Sequence, residues 1–163
     1  MKQLVFVQDE EIEKQLKIET ELISIIDVPL VKLRNEIQKN KGLVIINGGD
    51  ENINRAAVEN KSVDILLNPE RNNQKDSLFF RRSGLNHVLC ELARKNDVAI
   101  GFNFSNILNS EGRERAKILG RMRQNYKLCK KYRVKMVFSS FAKKKYELRS
   151  SDCLKTFERV LNS

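Results

Sequence analysis

The sequence is poor in the residues from which hydrolytic and redox sites are usually built. It contains one histidine, His87. Metal-dependent phosphoesterases on α/β scaffolds gather several histidines with carboxylates around their ions, so no metal-ligating set of that kind is expected. A Cys/His or Ser/His/Asp arrangement would have to rest on that same side chain. His87 lies beside Val88 and Leu89 in a helical stretch, where a structural histidine, a base and a phosphate contact are all consistent readings. No catalytic residue is expected in this chain.

Other absences point the same way. Cys90, Cys129 and Cys153 are odd in number, far apart and in no CxxC pair. They read as small hydrophobes on helices in a reducing, cytoplasmic compartment. No run approaches the roughly 18 apolar residues that cross a bilayer. The opening MKQLVFVQDE turns acidic before a signal-peptide core develops, so a soluble chain without membrane partners is expected. Neither GxGxxG nor GxxxxGK[ST] occurs, and no bound cofactor is expected. Gly48 and Gly49 before Asp50 fit a phosphate-cradling turn or simply a tight strand-to-helix turn. No internal repeat is visible, and low complexity is confined to Lys143, Lys144 and Lys145.

What is present is an alternation of short β-rich runs and amphipathic segments, the pattern of parallel strands joined by crossover helices. With 40% hydrophobic residues, the 163 residues suffice for one domain over 1–163. Strands are predicted over 2–7, 21–26, 43–47, 63–67, 98–104 and 134–139. Helices are predicted over 9–18, from Pro29 to about residue 40, after the cap Asp50, from the cap Ser83 to about 96, from Ser110 and Glu111 to about 132, and from about 151 to 161. Residues 68–82 form a long polar loop. Six βα units suit a reduced TIM-like barrel or an open doubly wound sheet. In both, the loops after the strands form the working face.

Acid is scarce where base is abundant. Residues 1–60 carry 8 Lys/Arg against 11 Asp/Glu, whereas residues 61–163 carry 23 against 10. Between Arg113 and Arg149 there are 14 basic residues and only Glu114 and Glu147. Such a field destabilises the compact state by self-repulsion unless a polyanion meets it. On a helical projection of 111–132, Ile118, Leu119, Met122, Tyr126 and Cys129 share one face. Arg113, Lys117, Arg121, Arg123, Lys127, Lys130 and Lys131 spread over the rest. That face is predicted to meet a polyanion, with RNA, DNA and anionic lipid as candidates, lipid fitting less well because the apolar face is needed to cover the sheet, and with a solvated surface as the alternative. Arg115 projects into the apolar arc, which implies a buried pair, a phosphate contact or a stem reaching the sheet rim.

Two loops repeat the theme with aromatics. Arg71, Lys75, Arg81 and Arg82 surround Phe79 and Phe80, and Lys143, Lys144, Lys145 and Arg149 surround Tyr146. Guanidinium groups bind phosphate and aromatic rings stack on unpaired bases, so both loops suit RNA; hydrophobic plugs or protein contacts are equally open for the phenylalanines.

The stretches GGDENINRAAVENKSVDILLNPE (48–70), RRSGLNHVLCELARKNDVAIGFNFS (81–105), GRERAKILGRMRQNYKLCKKYRVKMVFSS (112–140) and YELRS (146–150) resemble archaeal ribonuclease P protein component 3, a family shared with a eukaryotic ribonuclease P subunit of TIM-barrel fold. NRAAVE, VDIL-x-x-PE, GLNHVL and LRS occur in family order, over roughly residues 42–163. The resemblance implies a subunit that binds the catalytic domain of ribonuclease P RNA and pairs with protein component 2 among other subunits. Precursor tRNA is then the substrate of the holoenzyme, and the RNA hydrolyses its 5′ leader bond with Mg²⁺ at its own active site. It implies RNA contacts at Arg55, Arg81, His87, Arg115, Lys117, Lys131 and Arg149, and matching positions at Asn86, Ser139 and Ser140 that can also shape a barrel mouth. Less of the pattern is visible in the amino-terminal third, where the resemblance leaves a strand or helix unaccounted for and barrel closure open. The alternatives are a free-standing phosphoesterase on a similar barrel and a general structured-RNA-binding module.

Overall fold

Parallel strands alternate with helices in the computed structural model, which describes residues 2–163. The order is β1 (Gln3–Val5), α1 (Glu10–Leu16), β2 (Thr20–Leu22), α2 (Leu30–Lys39), β3 (Ile45–Asn47), α3 (Glu51–Glu59), β4 (Ile65–Leu67) and α4 (His87–Asn96). There follow β5 (Ala99–Asn103), α5 (Phe104–Leu108), α6 (Gly112–Tyr132), β6 (Met136–Ser139), a 3-10 turn (Lys145–Glu147) and α7 (Ser151–Asn162). Helix starts carry the short polar side chains that satisfy otherwise orphan N–H groups. Asp9 accepts from the Ile12 N–H, Asp50 from Asn52 and Ile53, and Ser150 from Cys153. Asn86, not Ser83, caps α4, accepting from the Leu89 N–H at 2.9 Å. Ser83 is buried and receives the Gln124 side chain instead.

The strands close into a ring, which excludes the open doubly wound sheet. β3, β4, β5 and β6 pair in that order, and β1 pairs with β2, all parallel. Beyond β2 the chain continues to Ile26, whose N–H donates to the Ile45 carbonyl at 2.8 Å and whose carbonyl accepts from Asn47 at 2.9 Å. On the other side, the Phe141 N–H donates to the Leu4 carbonyl and the Phe6 N–H to that of Ala142. Phe141 takes a left-handed φ of 45° while fully buried. This left-handed residue just past β6 turns the chain onto β1. Ser139 Oγ donates to the Leu4 carbonyl and Ser140 Oγ to Gln3 Oε1, so these two serines lock the seam.

Alternation along the strands separates two apolar layers. Ile45, Ile65, Leu67, Ala99 and Phe141 fill the barrel interior together with Leu4, Phe6, Ile23, Ile25 and Val137. Val44, Ile46, Leu66, Ile100 and Phe102 point outward onto α2, α3, α4, α6 and α7. α6 packs by Ile118, Met122, Tyr126 and Cys129. Phe102 and Phe138 stack at 4.8 Å between centroids, beneath Tyr126 and Phe157. Each such side chain contributes about 1.5–3 kcal/mol through burial. Cys90 and Cys129 are buried in this layer as free thiols.

Candidate nucleic-acid interface

At the carboxyl ends of the strands, where barrel scaffolds place their working residues, asparagines close the mouth. Asn68 Nδ2 donates to Asn47 Oδ1 at 2.8 Å, while Asn68 Oδ1 accepts from Asn103 at 3.1 Å and Asn106 at 2.7 Å. Arg71 donates to Asn106 Oδ1 at 3.1 Å, tying the next loop to this ring. Glu70 beside it is 2% exposed, and burial pushes its carboxyl up to about 7 against the pull of its own N–H, Asn106 and the Arg71 and Arg121 charges. Gly48 and Gly49 form the tight turn rather than a phosphate cradle. The Gly49 N–H is used by the buried Asn54 side chain and that of Gly48 by the Leu67 carbonyl. Gly49 has φ 112°, and a Cβ there would lie 2.3 Å from the Arg71 carbonyl, so a side chain is barred.

Arg121 corrects the reading of α6. It is 1% exposed and cannot reach an RNA phosphate. Its guanidinium donates to Asp76 Oδ1 and to the carbonyls of Glu70, Asn72 and Gln74, at 2.6–3.0 Å. It therefore fastens the loop over 68–82 to α6. Burial would raise the Asp76 carboxyl, but its hydrogen bonds from Arg121 and from the Arg82 N–H hold it below the ordinary value. Asn125 and Gln124 extend the seam: Asn125 donates to the Ser83 carbonyl, and Gln124 brackets the Arg81 main chain.

With the loop fastened, Arg81 lies flat on α6. Its guanidinium would stand 2.5 Å from a Cβ at Gly120, so the glycine is what admits it. Arg81, Arg123, Lys127 and Lys131 line a cavity of about 460 Å³ with Gln124 and Leu128. A second cavity of about 420 Å³ continues it past Arg81, Arg82 and His87 to Tyr132. The two share Arg81, Gln124 and Leu128, forming one groove that runs along α6 under the 68–82 loop to the start of α4, basic but for Glu51 at its far end. His87 is exposed on the first turn of α4.

The remaining basic residues lie outside this groove. Arg113 and Arg115 are exposed at the start of α6, where Arg115 donates to the Ser110 carbonyl at 2.6 Å and escapes the buried arc. Lys117 lies 3.7 Å from Glu114, and Arg55 pairs with Glu59 on α3 at 2.8 Å. Arg123 also reaches the Ser163 carbonyl. Lys143, Lys144 and Lys145 form a separate patch near β1, held by the buried Glu147, which accepts from the N–H groups of Lys143 and Lys144 and from Asn109. Burial favours the neutral acid, yet these donors keep the Glu147 carboxyl below its ordinary value. Arg149 is half-buried, donates to the Tyr146 and Leu148 carbonyls and stands over the Phe104 ring.

The sequence pattern of RNase P subunit p30 matches residues 16–162. The chain belongs to the RNase P subunit p30 family. The p30 match begins within α1, so it covers more of the amino-terminal third than the motifs over 42–163 suggest. This p30-family chain is 41% identical over 133 residues to ribonuclease P protein component 3 of Methanocaldococcus jannaschii, covering 80% of this chain and 54% of the relative. It is 42% identical over 118 residues to the protein of the same name from Methanosarcina barkeri, covering 72% and 46%. A chain in the cryo-EM structure of archaeal ribonuclease P with mature tRNA superposes with a TM-score of 0.73 at 33% identity, over 99% of this chain and 71% of that one. The p30-family chain thus spans about half the length of the curated relatives it matches.

Several residues central to this p30 surface carry a readable signal that the charge pattern of α6 overrides. Ile118, Arg121, Met122, Asn125 and Cys129 follow the spacing of a buried helical stripe, which marks Arg121 and Asn125 as interior despite their polarity. Asn47, Asn68 and Asn103 each stand at or just past the end of a strand reading Ile-Ile, Leu-Leu or Gly-Phe, and that recurrence announces the ring. The fastening role of Gln124 has no counterpart in the sequence, because it depends on a loop folding over α6.

Proposed function

We propose that this chain acts as a protein subunit of ribonuclease P, binding and stabilising the catalytic domain of the RNA that removes the 5′ leader from precursor tRNA. The observation that carries the reading is the basic groove along α6, walled by a loop whose Asp76 is already paired with Arg121. A surface whose Asp76 is paired internally and on which Arg81, Arg82, Lys127 and Lys131 outnumber Glu51 suits a polyanion. Family membership and the likeness to a chain of archaeal ribonuclease P with tRNA support ribonuclease P RNA as that polyanion. Contacts are assigned to the groove, to Arg113, Arg115 and Lys117, and more weakly to Arg55, Arg71, the lysine patch and Arg149. The chain supplies no catalytic group; Mg²⁺ belongs to the RNA active site, and protein component 2 is the expected partner subunit.

The test is cleavage of precursor tRNA by the chain alone, by the RNA subunit alone and by both with the other protein subunits. Stimulation that requires the RNA supports the proposal. RNA-free cleavage surviving stringent purification overturns it in favour of a free-standing phosphoesterase.

A further inference from the structure

The loop over 68–82 ends in an apolar tip that the fold does not cover. Leu78 and Phe79 are each 93% exposed and Phe80 51%. The tip is not slack. Within a turn, the Ser77 N–H donates to the Phe80 carbonyl and the Phe80 N–H to Ser77 Oγ, both at 3.0 Å. Below it, the Arg82 N–H donates to Asp76 Oδ1 at 2.8 Å, Gln124 brackets Arg81, and the buried Arg121 holds three loop carbonyls. An apolar tip on a pliant loop would fold back onto the surface, gaining about 1.5–3 kcal/mol per buried ring; this one is held away from it.

The charge around the tip is predominantly positive, its one acid, Asp76, being paired with Arg121. The Arg82 guanidinium stands 4.9 Å over the Phe80 ring, fixing both. Lys75 and Arg81 flank the turn, and Asp76, 20% exposed, is engaged by Arg121 at 2.8 Å and by Arg81 at 3.9 Å. A purely apolar protein pocket would leave this cationic collar unanswered. Unpaired RNA answers both features, because its bases offer flat faces and its phosphates offer charge. Duplex RNA does not, since its bases are already stacked and its major groove is too narrow for side chains.

We infer that the turn over 77–80 is a stacking platform for unpaired nucleotides of the bound RNA, with a base on the Phe79 ring and the adjoining phosphates at Arg81 and Arg82. The inference rests on the RNA-binding reading above and adds the class of RNA that the loop takes. Phe79 projects into solvent, so its replacement leaves the fold intact.

The experiment measures binding of a labelled oligoadenylate of about 12 nucleotides, within the span of single-strand sites, and of an RNA duplex of equal length. Wild type, Phe79→Ala and Phe79→Trp are compared at several salt concentrations. Loss of one base stack is expected to weaken the single strand about tenfold in Phe79→Ala. Duplex affinity and the salt slope should be unchanged, and Phe79→Trp should restore binding. Equal single-strand affinity in wild type and Phe79→Ala overturns the platform while leaving RNA binding standing. Failure of the wild type to bind either probe or ribonuclease P RNA overturns the RNA reading and the platform with it. Loss of a partner subunit from Phe79→Ala, with oligoadenylate binding intact, makes the tip a protein contact and likewise overturns the platform.

Discussion

Arg121 offers its guanidinium to four oxygens of one loop, and this is why the most deeply buried cation of a basic helix supports the surface without joining it. Removing one partner of a buried ion pair typically costs about 3–5 kcal/mol; Asp76 keeps some solvent contact, so Arg121→Ala is expected at about 3 kcal/mol. Urea denaturation measures that loss, and trypsin should cut faster at Lys75, Arg81 and Arg82 once the loop is released. Arg121→Lys keeps the charge but not the planar fork, and should recover only part of the stability. Glu70 gives the residue-scale pH dependence. Its folded value of about 7 lies above the ordinary 4.5, so between these the folded state holds a proton that the unfolded chain has lost. Stability therefore falls as pH rises through that window and levels off above it, by on the order of 3 kcal/mol. Glu70→Gln should flatten the slope of melting temperature between pH 5 and 7.5; a slope equal to wild type would mean the carboxyl is ionised in the fold.

At the scale of elements, each basic loop is held by a buried charge of its own: Arg121 for 68–82 and Glu147 for the lysine patch. The cations are thus displayed at fixed positions, which lowers the ordering entropy lost on binding. Among the phosphate contacts expected on α6, Arg113, Lys127 and Lys131 are exposed cations with no acid partner among the described residues. The triple alanine variant should weaken RNA binding and flatten its dependence on salt by up to about 0.9 for each phosphate no longer neutralised. An unchanged slope would show a merely solvated face. The strands and the helices α1–α4, α6 and α7 are legible in the sequence because periodicity and polar caps report local preference. α5 is not, since Phe104–Leu108 follows β5 without a break and is too short to show a period. Ser83 and Asn86 are equally good caps by type, and only the burial of Ser83 under Gln124 decides between them. The place of Arg121 is hidden for a related reason: a helical projection gives direction but not what folds over that direction.

At the scale of the molecule, barrel and charge divide the labour. The ring closed by Ile26 against β3 and by Phe141 against Leu4 puts every strand-end loop on one rim, and asparagines rather than a cavity fill the mouth. Closure cannot be read from the sequence, because the β6-to-β1 seam joins residues far apart in the chain through a left-handed turn at a non-glycine residue, Phe141. No helix among the described residues is long and apolar enough to cross a membrane. The central claim is that this polyanion is ribonuclease P RNA. The most direct measurement is the affinity of the chain for the catalytic domain of that RNA, beside an unrelated structured RNA of equal length, at physiological salt. The expected result is tighter binding of the catalytic domain, with backbone protection abolished in the Arg81→Ala and Lys127→Ala variants. Equal affinity for both RNAs would contradict the claim and leave a general RNA-binding module.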